Sequence, residues 1–153
     1  MSATRPSIIC LGFLLVSASV CRADFEVGRM YIAAATPGCQ NGYPHDRIWE
    51  FDPATGSSRV FAELPDGMCG IISGLAFSPD GSRLITSSYV HSALVQIDGD
   101  GNASVAYGPA DGVSGPGGTN NVAFDRVGNL YAVNDGSHTI NVYPTEGGAP
   151  GII

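Results

Sequence analysis

The chain has 153 residues and a formal net charge of −7, from 14 acidic residues against seven basic ones. All of the basic residues are arginines, and they are scattered rather than clustered. Such a chain is a poor partner for phosphate backbones or anionic lipid, so we expect neither nucleic acid nor a membrane surface as a partner. We interpret the acidic residues as a source of solubility.

The first 23 residues have the order of a secretory signal peptide. Arg5 gives a short positive start, residues 8–16 are apolar and uncharged, and small residues follow. The apolar stretch is far shorter than the roughly 20 residues that span a bilayer, so an uncleaved anchor is disfavoured. We expect cleavage after Ala18 or Ala23, and a secreted or periplasmic location.

An internal repeat of about 46 residues follows the signal segment. Two segments, residues 74–98 and 121–144, align with each other at offsets of 46 and 47. A third copy lies upstream. Its residues 48–52 precede their counterparts in the second copy by 46 positions, and its residues 30–35 (MYIAAA) correspond to LITSS in the second copy and LYAVN in the third. A period in the forties that recurs three times predicts stacked supersecondary units.

Each copy contains short apolar or alternating runs that are separated by turn residues, such as Pro79-Asp80-Gly81. No stretch of useful length has the 3.6-residue period of an amphipathic helix. Each copy therefore predicts about four strands, the content of one β-propeller blade, which must stack on neighbours to bury its faces. The predicted fold is all-β, with about three four-stranded antiparallel blades over residues 24–66, 71–112 and 118–153 in an incomplete propeller.

The segment from Gly117 to Tyr143 resembles an NHL repeat. It contains an apolar strand, Asp125, the Gly128-Asn129 turn, a second strand, an Asp-Gly loop, His138 and a closing strand. The middle copy's AFSPDGSRL also resembles WD40-like and TolB-type blades. The resemblance implies a β-propeller of a group whose NHL-type members usually have six blades.

Residues 24–153 are too few for a closed ring, because they make fewer than three complete blades. The last copy extends only to its third strand, and residues 145–153 contain no clear fourth strand. An open stack leaves exposed sheet edges that favour association. We expect a truncated or fragmentary gene product in preference to several copies that assemble into a ring.

Cys39 and Cys69 form an even pair in the exported part of the chain. We name the strands of a blade a to d, from the innermost outward. Cys39 then lies between strands b and c of the first blade, and Cys69 lies between that blade and the next. These two connections emerge on the same face, so we predict a Cys39–Cys69 disulfide, whose loop of about 30 residues would contribute about 3 kcal/mol. Two free buried thiols are the alternative, and the spacing does not suit zinc.

Histidines recur at positions 45, 91 and 138, each just before strand c of its blade. The three positions repeat around the propeller axis, which would hold their side chains too far apart to share one metal ion. We predict that they make hydrogen bonds within the blades, as the NHL resemblance implies for His138.

The sequence NNVAFDRVGNLY (residues 120–131) resembles the SMP-30/gluconolactonase group of six-bladed propellers. That resemblance implies a calcium or similar divalent ion, held at the channel by carboxylate and asparagine side chains, that polarises a lactone. Asn120 matches the asparagine of the motif, and Asn121 adjoins it. Glu26 lies near the end of the chain at which the carboxylate ligand is expected. Ser73 is a further axial candidate, and Asp66 is a weaker one because it precedes the repeat position of a ligand. The favoured interpretation of the asparagines is that they cap strand ends, so no cofactor is expected, with Ca²⁺ as the one alternative.

Motifs of other enzyme classes, such as GxSxG, HExxH, GxxxxGK and a dinucleotide fingerprint, are missing from the sequence. The first hypothesis is an exported NHL-like propeller fragment that acts as a binding or scaffold module for an unknown protein or small molecule. The alternatives are a divalent-metal-dependent lactonase or esterase of the SMP-30 type and a non-functional truncation product. Self-association through open sheet edges is a further expectation.

Overall fold

The structure is a computed structural model, and it describes residues 25–35, 45–113, 118–145 and 149–153. The predictions on Arg5, Ala18, Ala23 and Cys39 fall outside these residues. Eleven strands make up the fold of the described part: β1 (Met30–Ala34), β2 (Arg47–Asp52), β3 (Ser57–Glu63), β4 (Ile72–Phe77), β5 (Leu84–Ser88), β6 (Ala93–Ile97), β7 (Ala103–Tyr107), β8 (Thr119–Phe124), β9 (Leu130–Asn134), β10 (Thr139–Tyr143) and β11 (Gly151–Ile152).

The strands form three antiparallel sheets, and each sheet is a meander of consecutive strands. The first sheet has the order β1-β2-β3, the second β4-β5-β6-β7 and the third β8-β9-β10-β11. A single 3₁₀ turn at Pro109–Asp111 is the only helical segment in the described ranges. The all-β prediction is confirmed, with one difference: the first sheet has three strands in the described part of the chain, which correspond to strands b, c and d.

The third sheet has the fourth strand that the sequence did not reveal. Strand β11 is two residues long and pairs with β10, and the backbones of Ile140 and Ile153 exchange both of their hydrogen bonds at 2.9 and 3.1 Å. A strand this short, beginning with a glycine, has too few residues for an alternating pattern. The expectation that the last copy lacks a clear fourth strand is therefore wrong.

The three sheets stack as blades, with one apolar core in each gap. The core between the first and second blades is formed by Ile48, Ala62, Leu64, Ile72, Leu84, Val95 and Ile97. The core between the second and third blades is formed by Ile85, Leu94, Val113, Val122, Leu130, Ala132 and Tyr143. The middle blade is buried on both faces, and all five residues of β5 are buried.

The innermost strands of the second and third blades, β4 and β8, lie against each other. Each has a β-bulge near its start, at Gly74 in β4 and at Asn120 in β8. The two positions are 46 residues apart, so the bulge is a feature of the repeat. A bulge re-aims the neighbouring side chains and is common beside functional sites.

Candidate functional site

Asn120 and Asn121 lie together near the start of β8, on the strand that faces the propeller axis. Both are exposed. The Asn121 Oδ1 accepts a hydrogen bond from the backbone N–H of Val122 at 2.8 Å. This local bond agrees with a role in fixing the bulged start of the strand.

Polar side chains near the start of the inner strands pair with strand b of the same blade. The Thr119 hydroxyl donates to Asn134 Oδ1 at 2.7 Å, and both residues are buried. In the second blade, the hydroxyls of Ser73 and Ser87 lie 3.3 Å apart. Ser73, a candidate ligand residue from the sequence, thus contributes to pairing between β4 and β5.

Glu26 lies in a charged cleft of about 500 Å³ on the first blade. Its carboxylate accepts a hydrogen bond from Arg29 Nε at 2.8 Å. Arg29 also pairs with Asp52 and lies 3.5 Å from the carboxylate of Glu50, and Glu50 pairs in turn with Arg59. The hydrogen bond that Arg29 donates to Glu26, and then the one it donates to Asp52, raise the pKa of Arg29. The cleft is an ion-pair network in which each carboxylate has an arginine partner.

The structure brings Asn120 and Asn121 together but does not bring Glu26 to them. In a meander, strand a starts at the end of the blade where strand b finishes, and Asn120 lies near the start of a strand a. Glu26 precedes β1, a strand b, and contacts Arg29 beside Asp52 at the other end of the blade. The ligand role of these three residues stays a prediction.

A hard cation such as Ca²⁺ takes six to eight oxygen ligands. Asn120 offers one amide oxygen, Asn121 directs its own oxygen to Val122, and Glu26 is paired with Arg29. No group of three or more His, Cys, Asp or Glu side chains suited to a metal ion occurs in the described part of the chain. The described residues alone do not fit a calcium site.

The three histidines precede strand c as expected, but they differ in their contacts. His91 Nε2 lies 3.3 Å from the backbone nitrogen of Cys69 and 3.2 Å from its oxygen, which links the second blade to the connection before it. His45 Nδ1 lies 3.7 Å from a carboxylate oxygen of Asp66. His138 is exposed and has a positive φ of 54°, and its backbone N–H donates to Asp135. A structural hydrogen bond, which was predicted for all three histidines, is therefore found at the His91 side chain.

Cys69 is buried at 3% exposure beside the start of the second blade. The other member of the predicted pair, Cys39, lies outside the described residues. The Cys39–Cys69 disulfide stays a prediction.

The outer face of the third blade is an open apolar surface, which we call the trailing face. It comprises Tyr131, Val133, Ile140 and Val142, which the register places opposite one another on β9 and β10. Ile140 is 38% exposed, whereas its repeat equivalents Ile48 and Leu94 are both 0% exposed. The same position is thus buried in the first and second blades, where the next described blade covers it, and open in the third.

The outer face of the first blade is the matching open surface, which we call the leading face. It comprises Met30, Ile32, Trp49, Phe51 and Val60, which are cross-strand neighbours on β1, β2 and β3. Met30 and Ile32 are 53% and 48% exposed. Their equivalents in the other blades, namely Leu84 and Thr86, then Leu130 and Ala132, are all 3% exposed or less.

Sequence reasoning missed both faces as functional surfaces, although the repeat carried the signal. Positions 48, 94 and 140 are apolar in all three copies. An apolar residue repeated at a position that stacks on the next blade predicts the same apolar surface on the third blade.

No family model matches the sequence, and no curated protein matches it. Solved structures do match. Regucalcin, a calcium-binding protein from Agrobacterium tumefaciens, is 18% identical over 84% of this chain and 42% of its own chain, with a TM-score of 0.61. A gluconolactonase from Xanthomonas campestris is 17% identical over 91% of this chain and 50% of its own, with a TM-score of 0.58. A chain of a nidogen–laminin complex is 15% identical over 78% of this chain and 40% of its own, with a TM-score of 0.55.

The structure matches the six-bladed propellers of the SMP-30, regucalcin and gluconolactonase group. The fold is a partial β-propeller. The chain spans half or less of the length of these three solved structures. The propeller resemblance seen in the sequence is confirmed at the level of the fold. Within the described residues, no helix of the partial propeller is long and apolar enough to cross a membrane.

Proposed function

We propose that the chain belongs to an exported binding or scaffold protein and that its open blade faces dock a further β-sheet. The observation that carries this proposal is the exposure of Ile140 at a position where Ile48 and Leu94 are completely buried. Apolar patches of this kind on a soluble domain mark interaction sites. Burial of such surface stabilises a complex by about 25 cal/mol per Å².

The repeat indicates the kind of partner that each face accepts. Ile48 and Leu94 pack against strands of the following blade, in the two apolar cores. The trailing face carries the equivalent residue on an equivalent strand, so a sheet with the character of a leading face would cover it. The leading face, in turn, would be covered by a sheet with the character of a trailing face.

A dye that reports apolar surface tests the proposal. Ile140→Lys charges the trailing face and Ile32→Glu charges the leading face, so each variant keeps one face open. We expect both single variants to enhance the fluorescence of 8-anilinonaphthalene-1-sulfonate, and the double variant Ile140→Lys/Ile32→Glu to lose most of this enhancement. Equal enhancement by all three variants, with unchanged circular dichroism spectra, would rule out the two faces as the binding surface.

A metal-dependent lactonase is the second candidate. Two observations favour it: the exposed Asn120 on the bulged inner strand, and the match to a gluconolactonase and to a calcium-binding regucalcin. The candidate requires oxygen ligands beyond those that the described residues bring together. Melting temperature should rise with calcium up to millimolar concentrations, and the chain should hydrolyse δ-gluconolactone. A flat melting temperature and no hydrolysis above the buffer rate would eliminate it.

A further inference from the structure

We infer that a groove between the second and third blades binds a carboxylate ligand through Arg83 and Arg126. The groove has a volume of about 370 Å³ and lies between the turn that links β4 to β5 and the turn that links β8 to β9. It shares no lining residue with the leading or trailing face, so the inference goes beyond the proposed function and does not depend on it.

The arginines of the described ranges differ in their partners. Arg29, Arg47 and Arg59 each pair with a carboxylate. The other two, Arg83 and Arg126, have no carboxylate within 4 Å among the described residues, and these two line the same groove. The sequence has twice as many acidic as basic residues, 14 against seven. Two guanidinium groups without a carboxylate partner, in one groove of so acidic a chain, indicate a site for an anion from outside.

The two guanidinium groups reach the groove from different blades. The guanidinium carbon of Arg83 lies 5.6 Å from the centre of the Phe124 ring, which belongs to the neighbouring blade. An arginine held over an aromatic ring keeps the N–H groups at its edge free for an acceptor. Arg126 is exposed in the turn that follows Phe124. A ligand in the groove can therefore contact both arginines.

The turns that form the walls are fixed by their own hydrogen bonds. The Asp80 carboxylate accepts hydrogen bonds from the backbone N–H and the hydroxyl of Ser82, at 3.1 and 2.8 Å. The Asp125 carboxylate accepts hydrogen bonds from the backbone N–H of Val127 at 3.0 Å and from Asn129 Nδ2 at 2.7 Å. The acidic residues of both turns thus stabilise the turns themselves. A groove shaped before binding lowers the cost of ordering it around a ligand.

The lining residues indicate the class of ligand. A guanidinium group presents parallel N–H donors that match the two oxygens of a carboxylate. Pro79 and Val127 add apolar surface to the same groove, and Val127 is 73% exposed. The volume is within the range of roughly 300–1,000 Å³ for small-molecule sites. The combination fits a carboxylate on a compact apolar body.

The groove is distinct from the axial residues considered above for a metal ion. Asn120 lies near the start of β8, whereas the groove lies at the end of that strand. The two features are therefore at opposite ends of the blade. A sheet that covers either end face of the stack would lie beside the two turns rather than over them.

Titration with benzoate, followed by NMR of the isotope-labelled chain, tests the inference. Benzoate should bind at millimolar concentration and shift the signals of both turns, and benzamide, which has the same size but no charge, should bind at least tenfold more weakly. Inorganic phosphate should also bind at least tenfold more weakly, because it has no apolar body to contact Pro79 and Val127. Equal binding of benzoate and benzamide would overturn the inference, and tighter binding of phosphate would overturn the carboxylate as the ligand.

Variants of single arginines locate the site. Arg126 is exposed, so Arg126→Gln should stay folded, and it should weaken benzoate binding about tenfold; Arg83→Gln should do the same. Arg59→Gln is the matched control, because it removes the same charge from an arginine that is 65% exposed and belongs to the other cleft. The control should keep the affinity of the wild type. Unchanged affinity in Arg126→Gln, or an equal loss in Arg59→Gln, would overturn the inference.

Discussion

Gly74 and Asn121 hold the inner strands of two neighbouring blades in close contact. A Cβ built on Gly74 would lie 2.7 Å from Asn121 Oδ1 and 2.9 Å from the backbone nitrogen of Val122. Gly74 also has a φ of +65°, a conformation that side chains rarely adopt. A glycine is therefore required here both by the backbone of the bulge and by the adjoining blade.

We predict that Gly74→Ala destabilises the chain by roughly 3 kcal/mol, from a strained backbone and an overlap with the third blade. Gly56→Ala is the matched control, because Gly56 has a φ of +73° but nothing within 4 Å of a built Cβ. The control should lose only about 1 kcal/mol. Urea unfolding measures the free energy of unfolding of both variants. Equal losses would mean that the close contact between the inner strands does not add to the cost of Gly74→Ala.

The hydrogen bond between His91 Nε2 and the backbone of Cys69 should stabilise the connection between the first and second blades. His91→Asn shortens the side chain and leaves buried backbone groups of Cys69 without this partner, at a cost of about 1 kcal/mol. His138→Asn is the control, since His138 is exposed and asparagine tolerates its positive φ. Its free energy of unfolding should change by less than about 0.5 kcal/mol. A larger loss at His138 than at His91 would reverse the assignment.

Glu50 is the centre of the ion-pair network in the charged cleft. Its side chain is only 5% exposed and lies between the guanidinium groups of Arg29 and Arg59. Glu50→Ala should cost about 2 kcal/mol, less than a fully buried pair costs, because Arg59 is 65% exposed. Glu63, which pairs with Arg47, is more exposed than Glu50. Glu63→Ala should therefore cost at most about 1 kcal/mol. Thermal unfolding of the two variants compares them, and equal effects would contradict a central role for Glu50.

Acid should destabilise the chain partly through Asp125. Burial alone would raise the pKa of this carboxyl, but hydrogen bonds from the side chain and backbone of Asn129, and then from Val127, lower it. A lowered pKa in the folded state stabilises the fold above the unfolded pKa of about 3.9, and this contribution is lost as the pH falls through the folded value.

We therefore expect the melting temperature to fall below about pH 4, and Asp125→Asn to make this acid limb shallower. Asp100→Asn, which removes an exposed carboxylate from another turn, is the control variant. Calorimetry between about pH 2 and 7 measures all three proteins over the relevant window. An acid limb of the same slope in Asp125→Asn would show that other groups determine it.

The predicted Cys39–Cys69 disulfide has a direct chemical test. Proteolysis without reductant should yield a peptide pair that joins the two cysteines, and reductant should separate it. Reduction should lower the free energy of unfolding by about 3 kcal/mol, because a closed loop of about 30 residues limits the unfolded chain. Recovery of both cysteines alkylated without prior reduction would exclude the bond.

The sequence by itself determined the blade as the building unit. Its 46-residue period, the turn residues between short apolar runs and the motif around Asn120 were sufficient for an all-β propeller fold. These signals are local, because strand and turn formation depend on neighbours in the chain. The two-residue strand β11 was missed since so few residues carry no period, and only its pairing with β10 defines it.

The tertiary structure alone decided which side chains share a site and which surfaces are open. Glu26 was grouped with Asn120 by analogy, yet the order of strands in a meander places it at the other end of the blade, in the cleft with Arg29. The apolar pattern at Ile48 and Ile140 is the same, but one is covered by a following blade and the other is not. Burial depends on what the neighbouring sheet covers, a long-range property that no local pattern along the chain contains.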